Sequence, residues 1–166
     1  PVPRELLEWA IKSASTAPSG AHLQPWTFVV VQNTKLKEAL RRAAEEEERL
    51  FYQERATEDW LEDLAPLGTD EVKEHLTDAP WVVVLFKHTK RQRPDGRWSP
   101  TYYASESVGI AAGFFIAAVH QMGLCTLTHT PSPMGFLRAV LERPSYETPV
   151  LVMPVGYPAR DATVPD

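Results

Sequence analysis

Ala17-Pro18-Ser19-Gly20-Ala21-His22-Leu23-Gln24-Pro25-Trp26-Thr27-Phe28-Val29-Val30-Val31 begins as a polar, glycine-containing turn and ends as an unbroken apolar strand. Two prolines bracket the turn. Each fixes its own φ and pushes the residue before it toward extended geometry. Gly20 permits either a close approach of the backbone or a positive φ. Ser19 and the N–H groups of Gly20, Ala21 and His22 are donors suited to a polar ligand. On these residues alone two readings stay open: a plain helix-to-strand connector, or a loop that holds a ligand beside the strand over 27–31.

Upstream, Leu6, Leu7, Ala10, Ile11 and Ala14 recur at helical spacing, which predicts a helix over 3–15 with Pro3 in its first turn. Downstream, a helix is predicted over 34–55 with Leu36, Ala39, Leu40, Ala43 and Ala44 on its apolar side. It carries Glu45-Glu46-Glu47-Glu48. Arg41/Glu45, Arg42/Glu46 and Glu45/Arg49 are spaced i, i+4, so Glu45 to Glu47 read as a solvated face, each pair contributing ~0.2–0.5 kcal/mol. Glu48 differs, because Tyr52 lies one turn on along the same face. A carboxylate and a phenol there suit an ammonium.

The segment 53–69 mixes aromatic, acidic and turn residues around sparse Trp60, Leu61, Leu64 and Leu67. It is expected to be irregular surface, or an active-site lid that orders on ligand binding. A short helix over 69–76 carries Lys73, by itself an unremarkable surface lysine. The run 81–86 reads as a buried strand. The basic stretch 87–100 centres on Pro94-Asp95-Gly96 and reads as a solvated hairpin or excursion. A long helix over 102–122 is apolar nearly all round, which predicts burial on all sides. Gly109 and Gly113 would allow close helix approach, so a core shared between two subunits is expected. Gly123 ends that helix. A strand over 124–128 leads into His129-Thr130-Pro131. Ser132-Pro133 starts a helix to about 141, and a last strand covers 146–156.

The chain has 166 residues, a net charge of −5, 43% apolar residues and one cysteine, and we read it as one domain, 1–166, large enough for its own core. The acidic balance argues against a nucleic-acid partner. Cys125 lies in an apolar run and reads as a packed thiol; alone it forms no internal disulfide. The scattered histidines offer no metal set. The apolar run 108–119 is too short to span a bilayer. Both ends read as cut, so the location stays unknown: soluble in this stretch, with an anchor beyond it left open. Irregular alternation of helices and strands predicts an α+β fold, a mixed central sheet layered by helices.

Pro-Ser-x-x-x-x-Gln-Pro-Trp-x-Phe-Val-Val, over 18–30, resembles the flavin loop of the nitroreductase superfamily. Pro-Ser-Gly-Ala-His, where that superfamily more usually has Pro-Ser-x-x-Asn, is similar to its iodotyrosine deiodinase branch. The resemblance extends to the acidic helix with Glu48 and Tyr52, to Lys73, to Tyr102-Tyr103 and the Ala-Gly-rich helix. It also takes in Thr128-His129-Thr130-Pro131, Val155-Gly156-Tyr157-Pro158 and Ala162-Thr163-Val164-Pro165. It implies an obligate homodimer with FMN at the interface. It further implies reductive dehalogenation of a halotyrosine substrate by stepwise one-electron transfer. Electrons would come from an unidentified donor or reductase, with NADPH as their source.

By the same resemblance Ser19 and Gly20 contact FMN, and Thr128, His129 and Thr130 line it. The Thr130 hydroxyl lies near flavin N5 and is the catalytic group. Ala21 offers its backbone N–H to the substrate phenolate. Glu48, Tyr52 and Lys73 hold the amino-acid end, carboxylate and phenol on the ammonium, lysine on the carboxylate. The family's N-terminal arginine-rich phrase and C-terminal basic segment, which bind the FMN phosphate, are not in this sequence. His129 stands where the family has threonine. Two other readings are a general FMN-dependent nitroreductase or quinone reductase, and a non-catalytic flavin-binding module.

Overall fold

A computed structural model describes residues 1–163. Its centre is one strand. β2 (Trp81–His88) has six consecutive buried residues, Trp81 to Phe86, and pairs on both edges. A strand rich in valine and covered on both faces has no polar side to show. β1 (Trp26–Val31) pairs with it antiparallel, Trp26 opposite Lys87 and Val31 opposite Val82. β6 (Glu147–Gly156) flanks it on the other side, also antiparallel, and the two-residue β5 (Cys125–Thr126) closes the order β1-β2-β6-β5. The expected mixture of helices and strands is thus found, with every named pairing antiparallel. The register breaks once, between Leu85 and Phe86.

Helices cover both faces. α1 (Arg4–Ala14) and α5 (Ala104–Gln121) pack on the layer that holds Val83, Leu85, Met153 and Phe115. Phe28 and Phe115 meet there at 5.6 Å between ring centroids. α2 (Thr34–Leu50) and α6 (Gly135–Val140) cover the other layer, with Val82, Val84, Phe86 and Leu40. Each fully buried side chain of this size contributes about 1.5–3 kcal/mol. Asn33 starts α2, its side-chain oxygen accepting from the Leu36 N–H at 3.0 Å.

Several elements depart from the sequence reading. The helix predicted over 34–55 ends at Leu50 and continues as a π-helical turn, Phe51–Arg55. The segment 53–69 is not irregular: it holds α3 (Glu58–Leu64), started by Thr57, and a tight turn to Gly68, while Trp60 and Leu67 stay exposed. Helix 69–76 shrinks to α4 (His75–Asp78), because Lys73 and its neighbours bond elsewhere. The basic stretch forms the hairpin β3 (Lys90–Gln92) and β4 (Trp98–Pro100). Cys125 is exposed, not packed, because β5 lies at the sheet edge. Within one chain α5 meets α1 and the sheet on one side only and leaves Ile110 and Phe114 exposed, the face on which a core shared between two subunits is expected. Val164 and Pro165 of the C-terminal phrase lie outside the described residues. Among the described residues no helix is long and apolar enough to cross a membrane.

Gly20 serves close approach, not positive φ. A Cβ built there would lie 2.5 Å from the Tyr102 carbonyl oxygen and 3.2 Å from the Tyr103 ring. Gly20→Ala is therefore expected to lower stability by about 1–3 kcal/mol through overpacking, a drop of roughly 2–4 °C in Tm per kcal/mol for a chain this size. A thermal melt checks it; an unchanged Tm would mean the loop does not seat against Tyr102.

Candidate active site

The cavity begins at the C-terminal end of α2. Glu48 sits on its last turn, and the π-helical turn swings Phe51 and Tyr52 to the same side. Across from them the chain between Gly68 and His75 folds back. The backbone N–H of Lys73 donates to Glu45 Oε1 at 2.9 Å, and Arg41 Nε holds the same oxygen at 2.6 Å. Glu45 is therefore not a solvated residue, as its spacing from Arg41 suggests. It anchors the loop that carries Lys73. Burial pushes its carboxyl up, but the Lys73 N–H and Arg41 outweigh this and hold it below the usual carboxylate range.

Lys73 is only 4% exposed, against the expectation of a surface lysine. Its ammonium bonds the Asp70 carbonyl, lies 3.3 Å from Glu48 Oε2 and stands 5.8 Å over the Tyr52 ring. The Tyr52 hydroxyl donates to Thr69 at 3.3 Å. The other Glu48 oxygen, Oε1, is 3.0 Å from His129 Nε2. Burial pushes Glu48 up as well; the His129 hydrogen bond and the Lys73 charge overcome it, so the carboxylate stays ionised. His75 completes the group, its ring edge-to-face with His129 at 5.4 Å. Burial, and then the nearby His129 and Lys73, push it down to about 4, so it is neutral near pH 7.

The far wall is the extended segment after β5. His129 exchanges backbone hydrogen bonds with Val152, at 2.9 and 2.8 Å, so side chains alternate there. Thr128 and Thr130 are exposed; His129 between them is buried. The resemblance sets all three beside a flavin, but only the two threonines share an outward face, and the His129 ring turns inward to Glu48. Together these residues line a cavity of about 670 Å³ roofed by Trp60, Leu64 and Leu67.

The loop that opened the sequence reading lies elsewhere. Ser19 and Gly20 line a second, open hollow with Tyr103, Ser107 and Ile110 of the α5 region. Ala21 lines neither hollow. Gly20 N–H donates to Ser107 Oγ at 3.1 Å and His22 N–H to the Ser19 carbonyl at 2.9 Å, so two of the three donors expected to face a ligand are used internally. Ser19 Oγ accepts from Gln24 N–H at 2.9 Å. Ala21, His22 and Gln24 all hold positive φ, near 50°, which non-glycine residues adopt at a cost of about 1–3 kcal/mol each. Such strain persists where the surroundings over-determine it, here through Ser107 and Gln24. In one chain, then, Glu48, Tyr52, Lys73, Thr128, His129 and Thr130 come together, and Ser19, Gly20 and Ala21 do not join them. The sequence reading missed His75, Glu45 and Ser107. The contacts that bring them to the site, Glu45 to Lys73, Ser107 to Gly20 and His75 to His129, each span 28 or more positions, and no local spacing marks those.

The chain matches the description "Nitroreductase family" over residues 1–157. It is 54% identical to iodotyrosine deiodinase of Haliscomenobacter hydrossis, over 99% of this chain and 74% of that protein. It is 43% identical to iodotyrosine deiodinase 1 of Homo sapiens, but spans 57% of that protein's length. Its structure resembles a crystal structure of oxidised iodotyrosine deiodinase bound to FMN and 3-iodo-L-tyrosine. The TM-score is 0.87 at 30% identity, covering 99% of this chain and 84% of that one. A BluB-like flavoprotein from Clostridium difficile, at 19% identity and TM-score 0.73, shares the fold.

Proposed function

The chain belongs to the nitroreductase family, in its iodotyrosine deiodinase branch, and from that premise we propose that it is an FMN-dependent reductive dehalogenase of halotyrosines, acting as a homodimer. One observation carries the substrate class: a carboxylate and an ammonium, Glu48 and Lys73, face one cavity 3.3 Å apart, with Tyr52 beside them. A zwitterionic amino acid is the ligand that offers each its opposite. Glu48 and Tyr52 take the ammonium, and Lys73 takes the carboxylate.

The residues present fit a flavin ring. The exposed Thr128 and Thr130 hydroxyls suit its polar edge, and Thr130 is the group for N5. Ser19 and Gly20 would contact it from the loop. The hollow at Ser19 opens onto exposed Ile110 of α5, so a second copy docked on that apolar face would bring its loop to this chain's cavity. Among the described residues neither hollow is lined by an arginine or by a lysine other than Lys73, so the phosphate falls to groups elsewhere.

When bound and reduced, FMN supplies two electrons, one at a time, which with one proton convert a carbon–iodine bond into carbon–hydrogen and iodide. The protein's own part is placement. Ala21 N–H steadies the phenolate, the clamp fixes the amino-acid end, and segment 53–69 closes as a lid to exclude water. Trp60, Leu64 and Leu67 give that lid an apolar inner side. The electron donor is a separate reductase or small reductant.

The FMN-loaded protein, reduced anaerobically with dithionite, is expected to release tyrosine and iodide from 3-iodo-L-tyrosine and to sediment as a dimer at micromolar concentration. Turnover of nitroaromatics or quinones with iodotyrosine untouched would instead make it a general reductase. A monomer that keeps its FMN would remove the dimer.

A further inference from the structure

His129 has more to do than line a wall. Its backbone is bonded both ways to Val152, which fixes the main chain, and its buried ring is held by Glu48. Nε2 meets Glu48 Oε1 at 3.0 Å, while Lys73 lies at Oε2. An ionised carboxylate only accepts hydrogen bonds, so Nε2 carries the proton, and in the neutral ring Nδ1 is bare. Nδ1 is buried without a hydrogen-bond partner. The groups facing this ring are Glu48 from α2 and Lys73 and His75 from the α4 region, with Asp78 further along α4 acting on His75. His75 stays uncharged near neutral pH and its own Nε2 is also unpartnered.

The cluster can be counted in charges. With His129 neutral, Glu48 and Lys73 cancel, and a zwitterion adds one partner to each. With a second proton on His129, Glu48 is flanked by two cations and the cluster is net positive. An incoming ammonium then meets repulsion in a poorly solvated site, where charge interactions are stronger than in water. Resting on the halotyrosine reading of this cavity, we propose that His129 is the positioning residue of the clamp and ties amino-acid binding to pH. Neutral His129 holds Glu48 Oε1 and leaves Oε2 to the ligand's ammonium; doubly protonated His129 turns the cluster against it.

Calorimetry of the FMN-loaded protein tests this, run from about pH 8 to about pH 5.5, the span over which histidine ordinarily changes charge. Buffers of different ionisation enthalpy count the protons released. Iodophenol, which shares the phenol but lacks the amino-acid end, subtracts the phenol's own proton. Iodotyrosine affinity of the parent is expected to fall about tenfold toward the acid end, with proton release in excess of iodophenol's, as linkage requires. His129→Gln keeps an N–H for Oε1. It should retain affinity within about threefold at the upper pH and lose the excess proton release, since an amide N–H replaces an imidazole N–H at Glu48. His129→Leu should weaken iodotyrosine about tenfold and iodophenol not at all, the loss of one charge-assisted hydrogen bond. Excess proton release in His129→Gln equal to the parent's overturns the proposal. So does undiminished iodotyrosine binding by His129→Leu. Equal weakening of both ligands would make His129 merely structural and overturns it too. Should His129→Leu fail to fold, the His129→Gln comparison decides alone. A parent that does not prefer iodotyrosine to iodophenol brings down the substrate reading, and this proposal with it. A parent that prefers it with no pH dependence brings down only the proposal.

Discussion

Glu48→Gln is expected to weaken iodotyrosine binding by about ten- to a hundredfold, the equivalent of about 1.4–2.8 kcal/mol, and to leave iodophenol binding nearly unchanged. The amide keeps the volume and an acceptor for His129 but removes the charge. Charge-assisted hydrogen bonds contribute roughly 1.5–3 kcal/mol each. The gain on binding is a difference, because the free cavity already pairs Glu48 with Lys73 at 3.3 Å. A bound zwitterion would replace that contact with two pairings, while Lys73 already bonds the Asp70 carbonyl. The variant also leaves Lys73 as a buried cation without its anion, so some loss of stability accompanies the loss of affinity. Flavin-fluorescence titration of both ligands on both proteins separates these effects. Equal losses for the two ligands would mean that Glu48 acts through the fold, and the clamp would have to be abandoned.

Glu147→Ala is expected to cost about 1.5–3 kcal/mol, the range for hydrogen bonds to a charged group, since the Arg143 it leaves behind is partly solvated. That is a large share of a domain's usual 5–15 kcal/mol. Glu147 is 2% exposed. Arg143 grips it with two hydrogen bonds, at 2.7 and 2.9 Å, and Thr27 donates to it at 2.9 Å. Thr27 in turn contacts His88 at 2.8 Å, so one carboxylate ties the ends of β1, β2 and β6 together. Burial raises Glu147, but Arg143 and Thr27 outweigh it and hold it below the usual range. A depressed carboxylate stabilises the fold above its unfolded pKa, about 4.3, and that stability is lost as pH falls through the lower folded value. Burial also depresses His88 and His75. Their contribution is complete above about pH 6.5, the ordinary histidine value, and for His75 it is lost by about 4. Acid destabilisation of the parent should therefore start with the histidines and steepen with the carboxylates. In Glu147→Ala the second stage should be shallower. Chemical denaturation across pH reads both; identical slopes in parent and variant would remove Glu147 from the account.

The elements that could be read from the chain are those whose cause is local. The valine run of β2, the heptad-like apolar stripe of α1 and the breaker Gly123 each carry their own signal. Glu48-x-x-x-Tyr52 is legible too, although the turn that brings Tyr52 to the side of Glu48 is π-helical and not the expected continuation of the helix. Lys73 was visible only through family resemblance, since its burial depends on Glu45 reaching across 28 residues. The His129–Glu48 contact spans 81 residues and follows from strand alternation set by Val152, which no spacing announces. The open face of α5 is a related case. All-round apolarity says that every side must be covered, but not by which chain.

The sheet's central strand also bears on how the chain folds. Val82, Val84 and Phe86 enter one layer, Trp81, Val83 and Leu85 the other. A slip of one residue would swap the two sets without exposing a single polar side chain, so polarity gives β2 no preference between the correct alignment and its neighbour. Shape and anchoring must make the choice. Leu85 faces Leu151 and Phe86 faces Pro149, so Val150 is looped out between them, and only one alignment accommodates that extra residue. Strand pairing across the long stretch between His88 and Glu147 is already slow. A nascent sheet that zips out of step would hold a well-buried, long-lived error, released only when the looped-out Val150 and the Glu147 anchor find their places.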